Sequence, residues 1–425
     1  MILSLDLSSV MTSNNADSSV ELPFEVIDLI IEELAKRDDK SALRSFALVS
    51  HSFVVRCQKH LLYTVDLGDK RITGEKYYRL FSRVINKHPH FRLYVRDLRI
   101  VDTYVWDPRK DWKWLVKEES ICDVLESLPN LESFSLFFNT CTPVWSSFSS
   151  CLRNAIIRLT RRPSIKSLSL SNIRDVPPSI FGPLLSVNNL KLNNIQAHRS
   201  CLFTTPEIPR KVEYPLPSLG SLTTLTLGSM STSTMRVLCS TLSESLMPSL
   251  LQRLRITLVD QKQPELIEEL WGLMQWASKS LTHVEWRTLT LKSSVAHRPP
   301  HPIDLQLFTS LRSLRFPVNF HCLEQPVFLE LLQVLRQVAS GCHLQELIVE
   351  SMFVNSMELV ARASDWSLLD NTLSGKSFNS LDRIVFGGRW RTLPQSVKDS
   401  AKAILLEQLP FTRANGVSFF FDMDL

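Results

Sequence analysis

The chain has 425 residues, 44% of them apolar, so it can bury a large core and is long enough for two or three domains. Lysine and arginine total 48 against 43 acidic residues, a formal net charge of +5 that is too slight to point to nucleic acid or a membrane surface. Only 11 glycines stand beside 67 leucines, which argues against glycine-rich phosphate loops and tight hairpins and favours stacked helices and buried leucine ladders.

Residues 1–20 are rich in Ser, Asn and Asp, and a disordered tail is expected there. The chain opens with no basic n-region or apolar h-region, carries no Asn-x-Ser/Thr acceptor, and has no apolar run near the ~20 residues of a membrane helix. Its eight cysteines form no CxxC pair. Reduced thiols in an intracellular protein, of the cytoplasm or nucleus, are therefore expected.

From Leu22 the sequence LPFEVIDLIIEEL predicts a helix, with Pro23 suited to a first turn that lacks N–H partners anyway. Val26, Ile27, Ile30, Ile31 and Leu34 form one apolar stripe, which Leu22 and Leu29 widen. Asp38 and Asp39 are candidate N-caps for a second short helix carrying Leu43, Phe46, Ala47 and Val49. Ser50 is the candidate cap of a third, with Phe53, Val54, Cys57 and Leu61. Three short helices cannot bury so wide an apolar surface among themselves, so a neighbour within the chain and a partner chain are both expected.

Over residues 21–65 this segment resembles an F-box. The Leu22-Pro23-x-Glu25-Val26-Ile27 opening, Leu48-Val49-Ser50 and the aromatic at Phe53 carry the resemblance. Phe53 stands where many members of that family have Trp, a departure that weakens packing at this point. In the family the motif docks onto the Skp adaptor subunit of a cullin–RING ubiquitin ligase. The resemblance therefore implies that Leu22, Pro23, Val26, Ile27, Ile30, Leu48, Val49 and Phe53 form the Skp-docking surface.

The remainder, residues 66–425, repeats itself. An apolar-x-x-apolar-x-apolar core recurs ten times, beginning at Val95, Leu131, Ile165, Val187, Leu222, Leu251, Leu281, Leu311, Leu344 and Leu381. The spacing averages about 32 residues, which is the scale of solenoid repeats. Amphipathic stretches lie between cores. Leu266, Leu270, Leu273 and Met274 share one helical face, as do Leu331, Leu332, Leu335 and Val338, then Leu152, Ile156 and Leu159, and Val397, Ala401, Ile404 and Leu405. One strand and one helix per repeat predict an irregular α/β leucine-rich-repeat solenoid, with short parallel strands inside and helices outside. The ninth repeat position is Asn only at Asn139 and Asn319, and apolar at Ile173, Ile195, Met230 and Leu289, so no continuous asparagine ladder is expected.

Residues 200–218 and 292–304 are too proline-rich for helix and are expected to be loops. Between the first two cores, TYVWDPRKDWKW gathers Tyr104, Trp106, Trp112 and Trp114 with alternating charges, a composition suited either to a contact hot spot or to packing under the repeats. Chemistry is harder to find. Gly375-Lys376-Ser377 ends like a phosphate loop, but Asp370 stands where that motif needs glycine. His321-Cys322 and Cys342-His343 lack the spacing of zinc ligands, and no nucleophile elbow occurs. No catalytic, cofactor-binding or metal-ligating residue is expected.

Side chains alternate along a strand, so positions three and five of each core face away from ladder positions four and six; position two, just ahead of that alternation, is read with them. There the bases are Arg96, Arg99, Lys166, Lys191, Arg253, Arg255, Arg312, Arg315 and Arg383, and the acids Asp97, Glu132, Glu285, Glu346 and Asp382. Arginine forks bind carboxylate or phosphate with paired hydrogen bonds. Arg253, Arg255, Arg312 and Arg315, with Trp106 and Trp112, are thus the candidate target-binding residues. The expected function is a substrate-recognition adaptor of an SCF-type ubiquitin ligase: the F-box holds Skp and the repeats hold a target protein. The alternative is a repeat scaffold without ligase function, and a remoter one an enzyme assembled from the irregular loops.

Overall fold

A computed structural model describes residues 23–68, 74–102, 114–118, 120–139, 141–198, 222–245, 250–258, 264–288, 305–318, 329–336, 342–351, 363–388 and 395–421. The chain forms two compact units. The first runs through Cys141 and includes Ser147–Lys166; the second comprises Thr142–Ser146 and everything from Ser167 onward.

The first unit opens with three helices, α1 (Phe24–Lys36), α2 (Lys40–Ala47) and α3 (His51–Leu61). Strand β1 (Thr64–Asp66), helix α4 (Gly74–Lys87), strand β2 (Asp97–Asp102), helices α5 (Trp114–Lys117) and α6 (Ser120–Ser127), strand β3 (Ser133–Phe138) and helix α7 (Ser150–Thr160) follow. The strands pair in parallel with their ladders in step: Val65 stands opposite Leu98, and Leu98 and Ile100 opposite Phe134 and Leu136. β1 straddles the boundary at residue 65 expected between the F-box and the repeats.

The second unit repeats strand and connection nine times. Its elements are β4 (Ser167–Val176), α8 (Phe181–Leu184), β5 (Asn189–Ala197), β6 (Thr224–Gly228), α9 (Thr232–Ser245), β7 (Arg253–Leu258), α10 (Pro264–Trp276), β8 (His283–Thr288), β9 (Ser313–Val318), α11 (Leu329–Leu335) and β10 (Glu346–Ser351). Helix Ala363–Leu373, β11 (Arg383–Gly388), helices Gln395–Gln408 and Pro410–Ala414, and β12 (Ser418–Phe421) complete it. Each strand pairs in parallel with the next in chain order. The expected α/β architecture of parallel strands and helices is therefore present, and its ten expected cores are β2 to β11.

The ladder explains why the strands stack. All thirty core residues, from Val95 through Phe386, are buried. A fully buried Leu, Val or Phe side chain contributes about 1.5–3 kcal/mol relative to exposure. Because each core aligns with its neighbours, one repeat's apolar row becomes the floor of the next. Backbone bonding repeats with the same phase. The carbonyl of Thr223 accepts the N–H groups of Gln252 and Arg253, that of Gln252 accepts those of Thr282 and His283, and that of Thr282 accepts those of Arg312 and Ser313. Arg312 and Gln345 continue the series.

The asparagine signal sits one residue earlier than the consensus position. Asn172 and Asn194 both adopt left-handed backbone (φ 60° and 50°), and Asn194 Nδ2 donates to Asn172 Oδ1 at 2.7 Å. Asparagine tolerates this conformation better than most residues because its short polar side chain bonds locally. This rung links two neighbouring repeats, and the apolar ninth positions Ile173, Ile195 and Met230 are buried. Asn139 is exposed, and Asn319 and Leu289 lie outside the described residues.

At the C-terminal end, Asp370 is buried and its carboxylate accepts from Phe411 N (3.0 Å), Thr412 N (2.7 Å) and the Thr412 hydroxyl. It thereby satisfies the opening N–H groups of helix Pro410–Ala414, just ahead of β12. Asp370→Ala should cost about 2–3 kcal/mol, the loss of a cap plus stranded buried donors. The check is thermal melting with hydrogen exchange at Phe419 and Phe420, where Asp370→Asn, which keeps one acceptor, should lose less.

Candidate functional site

The N-terminal helices are built as their sequence requires. Asp39 caps α2, accepting from Ala42 N at 2.9 Å, and Ser50 caps α3, accepting from Ser52 N at 3.4 Å. Ile27, Ile31, Leu43 and Cys57 form a small core, with Leu34, Phe46, Phe53 and Leu61 packed against it. The Phe46 and Phe53 rings stack at 5.1 Å. Arg56 ties α3 to α1, with Nη1 3.0 Å from Asp28 Oδ1 and its guanidinium over the Phe24 ring.

This core divides the residues expected to dock Skp. Val26, Ile30, Leu48 and Val49 are exposed, Val49 by 70% and Leu48 by 60%, and Pro23 is exposed at the N-cap of α1. Ile27 is 5% exposed and turns into the core, so it does not belong to the exposed face expected to dock Skp. Phe53 is half-buried in its stack on Phe46 and is likewise mostly internal. Leu22 lies outside the described residues. The structure adds Phe24, Leu29 and Val55 to the exposed apolar side chains of these helices. Leu29 was legible as a widening of the helical stripe. Phe24 lies one turn ahead of Ile27 and two ahead of Ile31 at helical spacing yet is exposed, and Val55 falls off the Phe53, Val54, Cys57 and Leu61 face of α3.

The charged strip is largely self-neutralised. In the first unit Arg96 and Lys166 both pair with Glu132, at 3.2 and 2.7 Å, and Arg99 pairs with Asp97 at 2.7 Å. In the second unit Arg255 pairs with Glu285, and Arg383 with Glu346 at 2.8 Å. Arg315 is 4% exposed, with Nη1 3.1 Å from Glu285 and Nε 3.1 Å from Glu350. Arg315 is therefore a buried structural cation and cannot reach a target, which corrects its place among the target-binding residues. Arg255 is exposed but engaged. Lys191, Arg253 and Arg312 are exposed and have no acidic partner among the described residues.

Trp106, Trp112 and Tyr104 lie outside the described residues, as do the two proline-rich segments and His321-Cys322. Trp114 is buried, its ring 5.9 Å from that of Tyr78. Gly375 merely opens a single turn, Lys376–Phe378, whose Phe378 is buried. Cys342 is buried and its thiol donates to Leu311 O at 3.5 Å, while His343 is exposed. Among the described residues, no three His, Cys, Asp or Glu side chains gather to hold a metal ion, and no helix is long and apolar enough to cross a membrane.

The thiols are held inert by burial. Cys122 is pushed up to about 12, by desolvation first and then by its hydrogen bond with Cys151. Cys239 is also pushed up to about 12, by desolvation and the nearby Glu269 charge, and burial raises Cys57 and Cys342. The thiolate is the nucleophile, and near pH 8 a thiol titrating at 12 is ionised to only about one part in ten thousand. Brief iodoacetamide treatment at pH 8 should leave these four cysteines unmodified by mass spectrometry in the time that fully labels the urea-unfolded chain. Modification of native Cys122 or Cys239 at the unfolded rate would contradict this.

The site is thus a pair of surfaces, an apolar helical face and a charged strand face. When the chain is compared with known proteins, no family model matches it and no curated protein matches it.

Proposed function

We propose that the chain is the substrate-recognition adaptor of an SCF-type cullin–RING ubiquitin ligase, acting inside the cell. In this reading α1 to α3 are an F-box that docks on Skp. The parallel repeats are degenerate leucine-rich repeats in a solenoid, and their strand face captures the target protein.

The observation that carries the reading is the set of exposed apolar side chains on these three helices, Val26 and Ile30 one turn apart on α1, Leu48 and Val49 in the turn after α2, and Phe24 and Leu29 also on α1, on helices whose sequence resembles an F-box. Exposed apolar residues gathered on one small element mark an interaction surface. The core beneath them is complete, so these side chains are not needed to hold the three helices together. Catalysis then belongs to the ligase. The chain supplies proximity, converting a bimolecular encounter into an intramolecular one at an effective concentration of roughly millimolar.

Co-expression with a Skp subunit tests this directly. The two chains should co-purify at one-to-one stoichiometry through size exclusion. Failure to form a complex, with α1 to α3 folded, would overturn the adaptor reading and leave the repeats as a stand-alone binding scaffold.

A further inference from the structure

Charge is unevenly distributed along the chain. Residues 74–93 carry five bases, Lys76, Arg79, Arg83, Lys87 and Arg92, against the single acid Glu75. This short stretch thus holds +4 of the formal +5 of all 425 residues.

Helical geometry gathers four of those bases. At about 100° per residue, Lys76, Leu80, Arg83 and Lys87 fall within one arc of about 60° on α4, with Arg79 just beside it. All five side chains are exposed, Leu80 by 37%. The opposite face, Tyr78, Phe81, Val84 and Ile85, is buried, so the direction of the row is fixed.

Stability does not account for this row. Arg79 and Arg83, then Arg83 and Lys87, are like charges one turn apart, which repel. Lys76 sits in the first turn, where the helix dipole disfavours a cation. Elsewhere the bases of outer helices are answered: Arg158 of α7 pairs with Glu126 of α6, and Arg236 of α9 with Glu269 of α10. On α4 Glu75 answers Arg79 at 2.7 Å, whereas Lys76, Arg83 and Lys87 have no acidic partner among the described residues.

We infer that this face of α4 is a docking surface for an anionic phospholipid bilayer. From Lys76 to Lys87 the row is about 16 Å long, and a plane of anionic headgroups meets every base along it. Leu80 decides between anions. An apolar side chain centred among the bases has no counterpart on a phosphodiester or polyglutamate chain, whereas at a bilayer it reaches the boundary between headgroups and acyl chains. The helix's own apolar face is committed to the core, so adsorption is peripheral, each free base contributing about fivefold at an anionic leaflet. The charge of the whole chain, too slight by itself to mark a membrane surface, conceals this concentration. The inference stands without the adaptor reading; together they place the ligase at a membrane.

Co-sedimentation of the full chain with vesicles tests it. Phosphatidylcholine vesicles containing about 30% phosphatidylserine should pellet the chain at low salt, pure phosphatidylcholine vesicles should not, and about 0.5 M NaCl should release it. Lys76→Gln with Arg83→Gln and Lys87→Gln should weaken binding about a hundredfold, and Leu80→Gln several-fold. Lys279→Gln with Lys376→Gln and Arg413→Gln removes the same charge from exposed bases of the second unit and should bind like wild type. Because the row repels itself, the α4 variant should melt no lower than wild type. A lower melt would show that the row serves the fold instead. Equal pelleting with neutral vesicles, undiminished binding by the α4 variant, an equal loss in the second-unit variant, or tighter binding to double-stranded DNA or polyglutamate than to the vesicles would each overturn the proposal.

Discussion

Ile27→Glu should unfold α1 to α3, whereas Leu48→Glu with Val49→Glu should leave them folded and abolish Skp binding. Both changes add carboxylates to the same short segment, and only burial distinguishes them. Ile27 shares a four-residue core with Ile31, Leu43 and Cys57. A carboxylate forced into that core finds no partner, at a cost of several kcal/mol. So small a core has little stability to spare. Rapid proteolysis and full hydrogen exchange across residues 24–61 are the expected readouts. Skp binding would be lost as a consequence.

Leu48 and Val49 lie in the turn between α2 and α3 and are already in water. Charging them changes stability by about 0.5 kcal/mol or less, the usual range for surface positions. At a dry interface the same charges should weaken Skp binding at least a hundredfold, about 2.8 kcal/mol. Wild-type affinity in the double variant would show that this face does not contact Skp. Normal proteolytic resistance in Ile27→Glu would show that the core is placed wrongly.

The pair of experiments also marks where helical periodicity stops being informative. Val26, Ile27, Ile30 and Ile31 form two adjoining rows, Val26–Ile30 and Ile27–Ile31. A stripe that wide identifies an amphipathic helix without saying which row faces its own neighbours. That choice depends on how α2 and α3 close over α1, a tertiary fact. The strand ladders were far more legible, because each core must fill one kind of slot and a period-two strand leaves no choice of face. Two ladder members escaped. Leu62-x-x-Val65-x-Leu67 carries the full repeat pattern, but it crosses the expected end of the F-box-like segment at residue 65. In the last repeat Gly416 occupies the first ladder position with φ +83°, following the final helix, so β12 lacked its apolar herald. Left-handed backbone after a helix is where glycine is favoured, and the turn overrode the ladder.

Charge was the least legible property. The strip's composition is net basic, yet its electrostatics depend on which acid reaches which base across strands. Glu350 lies beyond the six-residue core pattern, yet it engages Arg315. Register also separates free from bound arginines: Arg312 and Arg315 are three residues apart, one exposed and one buried.

Removing Arg315 should therefore act on stability, and removing Arg312 should not. Arg315 spans Glu285 and Glu350 with a side chain only 5% exposed, so it links β8, β9 and β10 through charge in a poorly hydrated setting. Breaking a buried ion pair by deleting one partner leaves the other's desolvation uncompensated, at about 3–5 kcal/mol. Arg255 still faces Glu285, which places the expected loss for Arg315→Ala near the lower end, about 3 kcal/mol. For a unit of this size each kcal/mol moves Tm by roughly 2–4 °C, so the melt should fall by roughly 6–12 °C. Arg315→Met should recover part of that loss, because the aliphatic stem packs the same space. Arg312→Ala, with its side chain in water, should melt within about 1–2 °C of wild type. Surface pairs are screened by salt and buried ones are not, so the Arg315→Ala deficit should persist at 1 M NaCl. Equal melting of the two alanine variants, or disappearance of the difference in high salt, would show that Arg315 is a surface charge like its neighbours.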